Sequence, residues 1–427
     1  MSHPYTPAIR SSRLVKGFPI FYGWIILLVG TLGLIMTAPG QTYAVSIFIE
    51  HFINDLGISR SLVSTLYTIG TLVGSFALPL VGQQIDRRGP RLMMSVVVLL
   101  FGLACVYMGI VQNAIMLGLG FMAIRMLGQG SLGLISQNVI NQWWVRRRGT
   151  MIGISGLLVS LVGMGAIPNL INWLIPIYGW RTTYALLGVL LLFVMLPLAV
   201  AFVRNQPEQY GLQPDGMMTP LTSSSSASVE PAEENWTLPE AMRTPIFWVF
   251  MLGLSSIAML VTGLFFHMVS IFNDNGLSAT VAASVFVPIA ATTAVVNLGS
   301  GILVDRVPIR LLMAIALFLQ ATTLIMAQFL QSVQIAFLYG VMLGIMLGLM
   351  GTINGVSWAK YYGRRHLGSI TGVTSTVLIA GSALGPMPFG IARDMLGSYN
   401  LTLTAAAVIP LILGLASLFV DRPIRQN

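Results

Sequence analysis

Apolar residues in this chain neither alternate nor gather on one face of short helices; they run on without interruption. Such runs extend over Phe21–Phe48, Leu62–Val81, Leu92–Val111, Ile115–Ile140, Gly149–Ile171 and Thr182–Val203. Six more follow at Pro245–Phe272, Val281–Val304, Leu311–Phe329, Val333–Ala359, Leu367–Ala392 and Leu401–Val420. Each has at least about the 20 residues that carry a helix across the hydrocarbon of a bilayer. Inside lipid the backbone must satisfy its own hydrogen bonds, and single segments do so as helices. The pattern therefore predicts an all-α polytopic membrane protein with twelve transmembrane helices. Composition agrees, because 427 residues that are 56% hydrophobic and only 8% charged have too little polar surface for one water-soluble globule.

Charge then orients the helices, since Lys and Arg collect in cytoplasmic loops. With the N-terminus inside, eighteen of the 22 Lys and Arg fall on one side: Arg10, Arg13, Lys16, Arg87, Arg88, Arg91, Arg146, Arg147, Arg148, Arg204, Arg243, Arg306, Arg310, Lys360, Arg364, Arg365, Arg422 and Arg425. The other side holds Arg60, Arg181 and Arg393, and Arg125 lies within a span. Both termini are thus expected to be cytoplasmic. The net charge of +9 reports this topology and calls for no nucleic-acid partner. The first span is too long for a signal-peptide core and has no A-x-A-like site at its end, so it is read as retained. Cys105 is the single cysteine and leaves the redox compartment open.

Sliding the sequence by 219 residues aligns Asp55, Gly57 and Ser59 with Asp274, Gly276 and Ser278. The same shift aligns Gly82, Asp86, Arg87 and Arg91 with Gly301, Asp305, Arg306 and Arg310, and Arg146, Gly149 and Gly153 with Arg365, Gly368 and Gly372. Matched charges and loop glycines are costly coincidences in so apolar a chain. They predict two pseudo-symmetric six-helix halves, residues 1–203 and 245–427. The connection, residues 204–244, contains LTSSSSASVEPAEEN, a composition that packs no core and reads as a flexible cytoplasmic linker.

Two six-helix halves, a long central loop and G-x-x-x-D-R-x-G-x-R between spans two and three resemble the major facilitator superfamily. FYGW, GQTYAVSIF, WWVRRRGTMIGIS and GLFFHMVSIFNDNGLS are similar to the branch of monocarboxylate transporters and oxalate:formate antiporters. The resemblance implies a substrate site near the bilayer midplane, reached alternately from either side as the halves rock. It also implies a conformational latch made of Gly82, Asp86, Arg87 and Arg91, with Asp86 at the start of span eleven, and a mirror latch of Asp305, Arg306 and Arg310 at the start of span five. Gly82 is expected to let the chain leave span two sharply. Val307 and Pro308 replace part of the motif in the second copy.

Ionisable and amide groups inside the membrane are costly and mark candidate sites. Arg125, with Gln129 one turn on, can pair with a carboxylate substrate or, as the resembling motif implies, bond to neighbouring helices. His267, an imidazole within span seven, is a candidate carrier of a coupled proton or a gate residue. Gln41, Tyr43, Asn169, Asn297 and Asn354 either line a cavity or bond helices together. Gly163, Gly165 and Pro168 of span five are expected to face Gly381, Gly385 and Pro386 of span eleven, and the WW at 143–144 is expected to anchor the interface. Gly128, Gly130 and Gly133 spell G-x-G-x-x-G but lie within a span, where a dinucleotide fingerprint has no meaning. No basic residue stands in spans eight or eleven, where the oxalate carriers use them, so a dianion is disfavoured.

The expected function is secondary transport of a small organic solute, a monocarboxylate or related organic acid, with H+ as a candidate coupling ion. The runner-up is a transporter-like sensor that binds without translocating. No Walker A or H-E-x-x-H motif occurs, so no enzyme activity, metal or cofactor is expected. The resemblance implies a monomer in a plasma membrane, a bacterial inner membrane for this branch.

Overall fold

The computed structural model describes residue 15, residues 17–216 and residues 234–423. Arg10, Arg13, Lys16 and Arg425, and all but the last two residues of the serine-rich tract, lie outside the described residues. Eleven helical segments among those described are long and apolar enough to cross a membrane. One of them, Arg148–Phe202, runs for 55 residues. At about 1.5 Å per residue it would measure over twice the thickness of the hydrocarbon. Gly179 divides it, with φ 77° and ψ 159°, so it crosses twice. The described structure therefore has twelve crossings.

We number them α1 (Gly23–Ile49), α2 (Leu62–Arg88), α3 (Pro90–Met108), α4 (Ala114–Trp143), α5 (148–178), α6 (180–202), α7 (Pro245–Asp274), α8 (Phe286–Val304), α9 (Ile309–Met326), α10 (Val333–Tyr362), α11 (Leu367–Arg393) and α12 (Asn400–Phe419). Their surfaces fit a lipid solvent. Phe193, Phe419, Val295 and Ile115 are each more than 70% exposed, a surplus of apolar surface that water would not tolerate.

Close contact between the two six-helix halves is concentrated on two crossed pairs. α2 packs on α11 and α5 packs on α8 at the face rich in arginine, called here the basic face. Glycine makes both approaches. A Cβ on Gly82 would stand 2.0 Å from the Gly368 carbonyl oxygen, and one on Gly301 would stand 2.6 Å from the Gly149 oxygen. Gly82 is therefore not where the chain turns; it sits inside a helix, Leu78–Arg88, and its missing side chain admits the facing backbone. The turn belongs to Gly89, at φ 85°.

Away from the basic face each half packs on itself. Gly163 lies beside Tyr43 of α1, while Gly381 and Gly385 lie against Ser255, Met259 and Gly263 of α7. The glycines of α5 and α11 thus do not meet as the sequence suggested. The Trp pair is also corrected: Trp143 and Trp144 are 0% and 1% exposed. Their indole N–H groups donate to the carbonyls of Arg204 and Gly23, pinning the end of α4 to α6 and α1 rather than to the membrane interface.

α1 is broken. Pro39 lacks an N–H, Gln41 is extended at ψ 148°, and the helix restarts at Thr42. Gly40 packs at the break so closely that a Cβ would lie 2.3 Å from the Ile124 carbonyl oxygen of α4. We expect Gly40→Ala to destabilise the fold by about 1–3 kcal/mol. Gly299→Ala, in open space on α8, should be neutral or stabilise by about 0.5–1 kcal/mol. Thermal unfolding of both variants in detergent tests this, and equal midpoints would remove the role given to Gly40.

Candidate functional site

Arg125 is 4% exposed and lies where α4 leaves regular α-geometry, at the start of a π-helical stretch, Arg125–Leu132. A π-segment widens the turn and re-aims side chains. The guanidinium reaches the break in α1, donating from Nη1 to the Gly40 carbonyl at 2.9 Å and from Nε to Thr71 Oγ1 of α2 at 2.9 Å. Nη1 also stands 3.4 Å from Thr42 Oγ1, and the group lies 4.7 Å from the centre of the Tyr67 ring. Tyr67 in turn donates to Thr42 Oγ1 at 2.8 Å. A break inside a membrane helix leaves carbonyls without N–H partners, and a buried donor must supply them. Arg125 does so, which binds three helices into one unit.

Gln129 and Gln41 belong to the same cluster. The Gln129 backbone N lies 3.2 Å from where a Gly40 Cβ would be, and its buried Oε1 has no hydrogen-bond partner among the described residues. Gln41 donates to Thr37 Oγ1 at 3.0 Å across the break. Tyr43 lies one step further along α1, beside Gly163 of α5. The other candidates lie elsewhere. Asn297 of α8 donates to Ser160 Oγ of α5 at 3.2 Å, bridging the halves near the middle of the membrane. Asn169 is exposed and bonds its own helix at Gly165, and Asn354 stands 3.5 Å from the Trp358 indole on α10.

His267 is far from Arg125, toward the end of α7 remote from the basic face. Its Nε2 stands 3.1 Å from the Pro386 carbonyl of α11, which only accepts, so Nε2 carries a proton. Nδ1 stands 3.2 Å from Tyr399 Oη, which also pairs with Ser270 Oγ at 3.1 Å. Two arrangements satisfy every group in this circuit. With neutral imidazole the tyrosine donates to Nδ1; with imidazolium Nδ1 donates to the tyrosine, which donates to Ser270. The circuit therefore accommodates a proton without leaving any member unpaired. Beside it Arg393 grips Asp274 with two bonds, at 2.6 and 2.8 Å.

The crossed aspartates occupy the basic face. Asp86 accepts from the Gly368 and Ser369 amides, both at 2.7 Å, and from Ser369 Oγ at 2.5 Å. Asp305 accepts from the Gly149 and Thr150 amides at 2.9 and 3.0 Å and from Thr150 Oγ1 at 2.9 Å. Each carboxylate thus serves the unpaired amides at the N-terminus of a helix in the opposite half, where the helix dipole also favours it. The two sites are copies at the repeat offset, and replacing the motif glycine with Val307 and Pro308 has not altered the second. The arginines do other work. Arg91 donates twice to the Val200 carbonyl and Arg310 pairs with Asp421, while the side chains of Arg87 and Arg306 are exposed and pair with no described residue.

Sequence reasoning missed a ladder on α4. Asn138 pairs with Thr371 at 3.1 Å, Asn141 donates to the Gly355 carbonyl at 2.8 Å, and Gln142 donates to the Arg364 carbonyl at 2.8 Å. Spaced three and four residues apart, they share one helix face. That spacing was the available signal. Together with Asn297–Ser160 and the Thr376 hydroxyl on the Ser75 carbonyl at 2.9 Å, they seal the halves from the basic face to about the midplane. The hydrogen bonds between halves that the described residues make all lie on that side.

A sequence profile of the Major Facilitator Superfamily matches residues 30–386, and again 268–426. The chain belongs to the major facilitator superfamily. It is 26% identical to the oxalate:formate antiporter of Oxalobacter formigenes over 53% of this chain and 50% of that one. It is also 26% identical to a probable L-galactonate transporter of Escherichia coli over 33% of this chain and 31% of that one. The matches thus span half or less of these curated relatives. Among solved structures, the human organic anion transporter MFSD10 superposes with a TM-score of 0.65 at 14% identity, covering 92% of this chain and 99% of its own. The proton:xylose symporter XylE gives the same TM-score and identity over 94% and 96%. Both likenesses concern the fold.

Arg125→Lys tests the assignment at the break. One ammonium cannot reach the Gly40 carbonyl and Thr71 from the fork's position. We expect a loss of about 1–3 kcal/mol per group left unpaired, read as a lower thermal midpoint. Unfolding indistinguishable from wild type would mean that the guanidinium does not hold α1, α2 and α4 together.

Proposed function

We propose that this superfamily member is a secondary active transporter of a small organic acid, a monocarboxylate or a related weakly acidic metabolite, working by alternating access. The observation that carries the reading is the pair of crossed aspartate contacts. They can exist only while the basic face is closed, since each spans the two halves, and they are small enough to break and reform. With the arginine-rich face assigned to the cytoplasm of a plasma membrane, and both termini with it, the conformation described is the outward-facing one. The two halves, residues 1–203 and 245–427, are then the bodies that rock, and residues 204–244 the cytoplasmic connection between them.

The substrate class is supported by the names of relatives that act on oxalate, formate and L-galactonate. Spans α8 and α11 hold no Lys, and the single Arg within them, Arg393, stands at the end of α11 bound to Asp274, which favours a monoanion over a dianion. Arg125 has two of its three nitrogens engaged, Nη1 at the break in α1 and Nε on Thr71 of α2, and its Nη2 bonds to no described residue. That leaves one fork position for a substrate carboxylate. His267, able to hold a proton without breaking its circuit, is the coupling candidate.

Uptake of radiolabelled monocarboxylates and neutral analogues into proteoliposomes, with and without an inward proton gradient, tests the reading. We expect saturable uptake of at least one acid, loss of it in Arg125→Gln, and gradient-independent uptake in His267→Ala. Asp305→Asn should slow uptake about tenfold or more, equivalent to about 1.4 kcal/mol. Ligand-induced thermal stabilisation without uptake of any compound would identify a sensor and remove translocation.

A further inference from the structure

Two polar side chains of the connection between the halves hold the places next to the latch. Asp215 lies in the left-handed region at φ 61°, the one non-glycine there among the described residues. Its carboxylate accepts from the amides of Val145, Arg146 and Arg147 at 3.0, 2.9 and 3.1 Å. These are the three amides just before α5; Arg148 opens the helix, and Gly149 and Thr150 after it donate to Asp305. The N-cap residue itself, Arg147, makes no side-chain cap. At the other latch, Asn235 Oδ1 accepts from the amides of Arg364 and Arg365 at 3.2 and 3.0 Å. Those lie just before Gly368 and Ser369, which donate to Asp86.

The two kinds of contact differ in what they join. Asp215 follows α6 and grips its own half, and Asn235 precedes α7 and grips its own half. Neither contact crosses between the halves, so both survive when the halves part. The aspartates of the latch cross, and do not survive. We propose that Asp215 and Asn235 are positioning residues for the conformational switch, each ordering the turn that presents helix-start amides to the aspartate of the opposite half. The inference rests on the latch reading given under Proposed function.

A turn of unpaired amides left to itself frays, and an arriving carboxylate must then order it, at a cost in conformational entropy. A turn already held makes the same contact more tightly. The ordering gains nothing while the basic face is open, so the caps bias the equilibrium toward its closed form. Asp215, a carboxylate with three donors, should do more than Asn235, an amide oxygen with two. The opposing expectation is electrostatic. Asp215 and Asp305 are like charges on neighbouring amides, and if repulsion dominates, neutralising Asp215 tightens the latch instead. The direction of the effect decides between them.

Gln112 and Gln331 are exposed, stand at equivalent positions of the repeat, and lie at the α3–α4 and α9–α10 turns of the face opposite the latch. Spin labels on both, in the full chain with Gln112→Cys, Gln331→Cys and Cys105→Ser, report by pulsed distance measurement how far that face is open. Asp305→Ala should move population from long to short distances. Asp215→Ala should move it the same way, changing the ratio about 3- to 10-fold, and Asp215→Asn less, since one carbonyl acceptor remains. The double variant Asp215→Ala with Asp305→Ala should go no further than Asp305→Ala alone, because a positioning residue acts through the group it serves.

Three results would overturn the proposal: wild-type distances in Asp215→Ala while Asp305→Ala shifts them, a shift toward long distances, or full additivity in the double variant. If Asp215→Ala does not yield folded protein, Asp215→Asn carries the same comparison. Should Asp305→Ala itself leave the distances unchanged, the latch reading fails and this inference falls with it.

Discussion

In hydrocarbon, a main-chain N–H or C=O that no helix pairs has to find its partner within the protein. Twelve long helices meet that demand along their lengths and leave it open only at their ends and breaks. Several of this protein's charged and amide side chains stand at those places. Arg125 serves the carbonyl freed at the break of α1. Asp86, Asp305, Asp215 and Asn235 serve the amides at the starts of α11 and α5. The Trp143 indole serves the Arg204 carbonyl just past the end of α6. Some of these partners come from the same half and some from the other, and that division makes one chain both rigid and mobile. In the alternating access proposed above, the groups within a half stay satisfied throughout, whereas those between halves are satisfied in one conformation and meet water or other partners in the next.

Magnitudes fit a switch better than a lock. A carboxylate at a helix start contributes about 0.3–1 kcal/mol when exposed and up to about 2 kcal/mol when partly buried. Two such contacts, with the α4 amide ladder beside them, give a few kcal/mol, the range in which a minor conformation stays populated. A ligand with differential affinity of the same size can then invert the populations. The glycines matter for the same reason. Gly82 and Gly301 bring backbones together so closely that side chains would hold them apart, and without that approach the aspartates would fall short of their amides.

Much of this was legible in the sequence, and for physical reasons. Length and apolarity specify membrane helices almost regardless of packing, and the 219-residue offset announced the two halves through charges and glycines that apolar drift does not reproduce. What proved hard to read was direction. Gly82 was visible as special, but a glycine for turning and a glycine for close approach are written alike. The Trp pair carried no mark of being buried. Asn138, Asn141 and Gln142 lie on one helix face, yet nothing in the string says whether that face meets its own half or the other. Asp215 was invisible because its role depends on a left-handed backbone and on amides some seventy residues earlier in the chain.

α4 joins these levels. Its first half ends at Arg125, fastened to the break of α1 and to Thr71 of α2. Its last turns carry the ladder to α10 and α11. Between them lies the π-helical stretch Arg125–Leu132, with Gly128 packed against the Phe101 ring and Gly130 against Leu78. Wider, less regular turns of this kind yield more readily than α-helix on either side. A displacement at the break of α1 is therefore handed to the contacts that close the basic face by one covalent element. In the transport cycle proposed above, coupling between a midplane site and the crossed aspartates then needs no diffuse pathway. It needs α4 to stay fastened at both ends while its middle gives, and the structure supplies both fastenings and the soft segment between them.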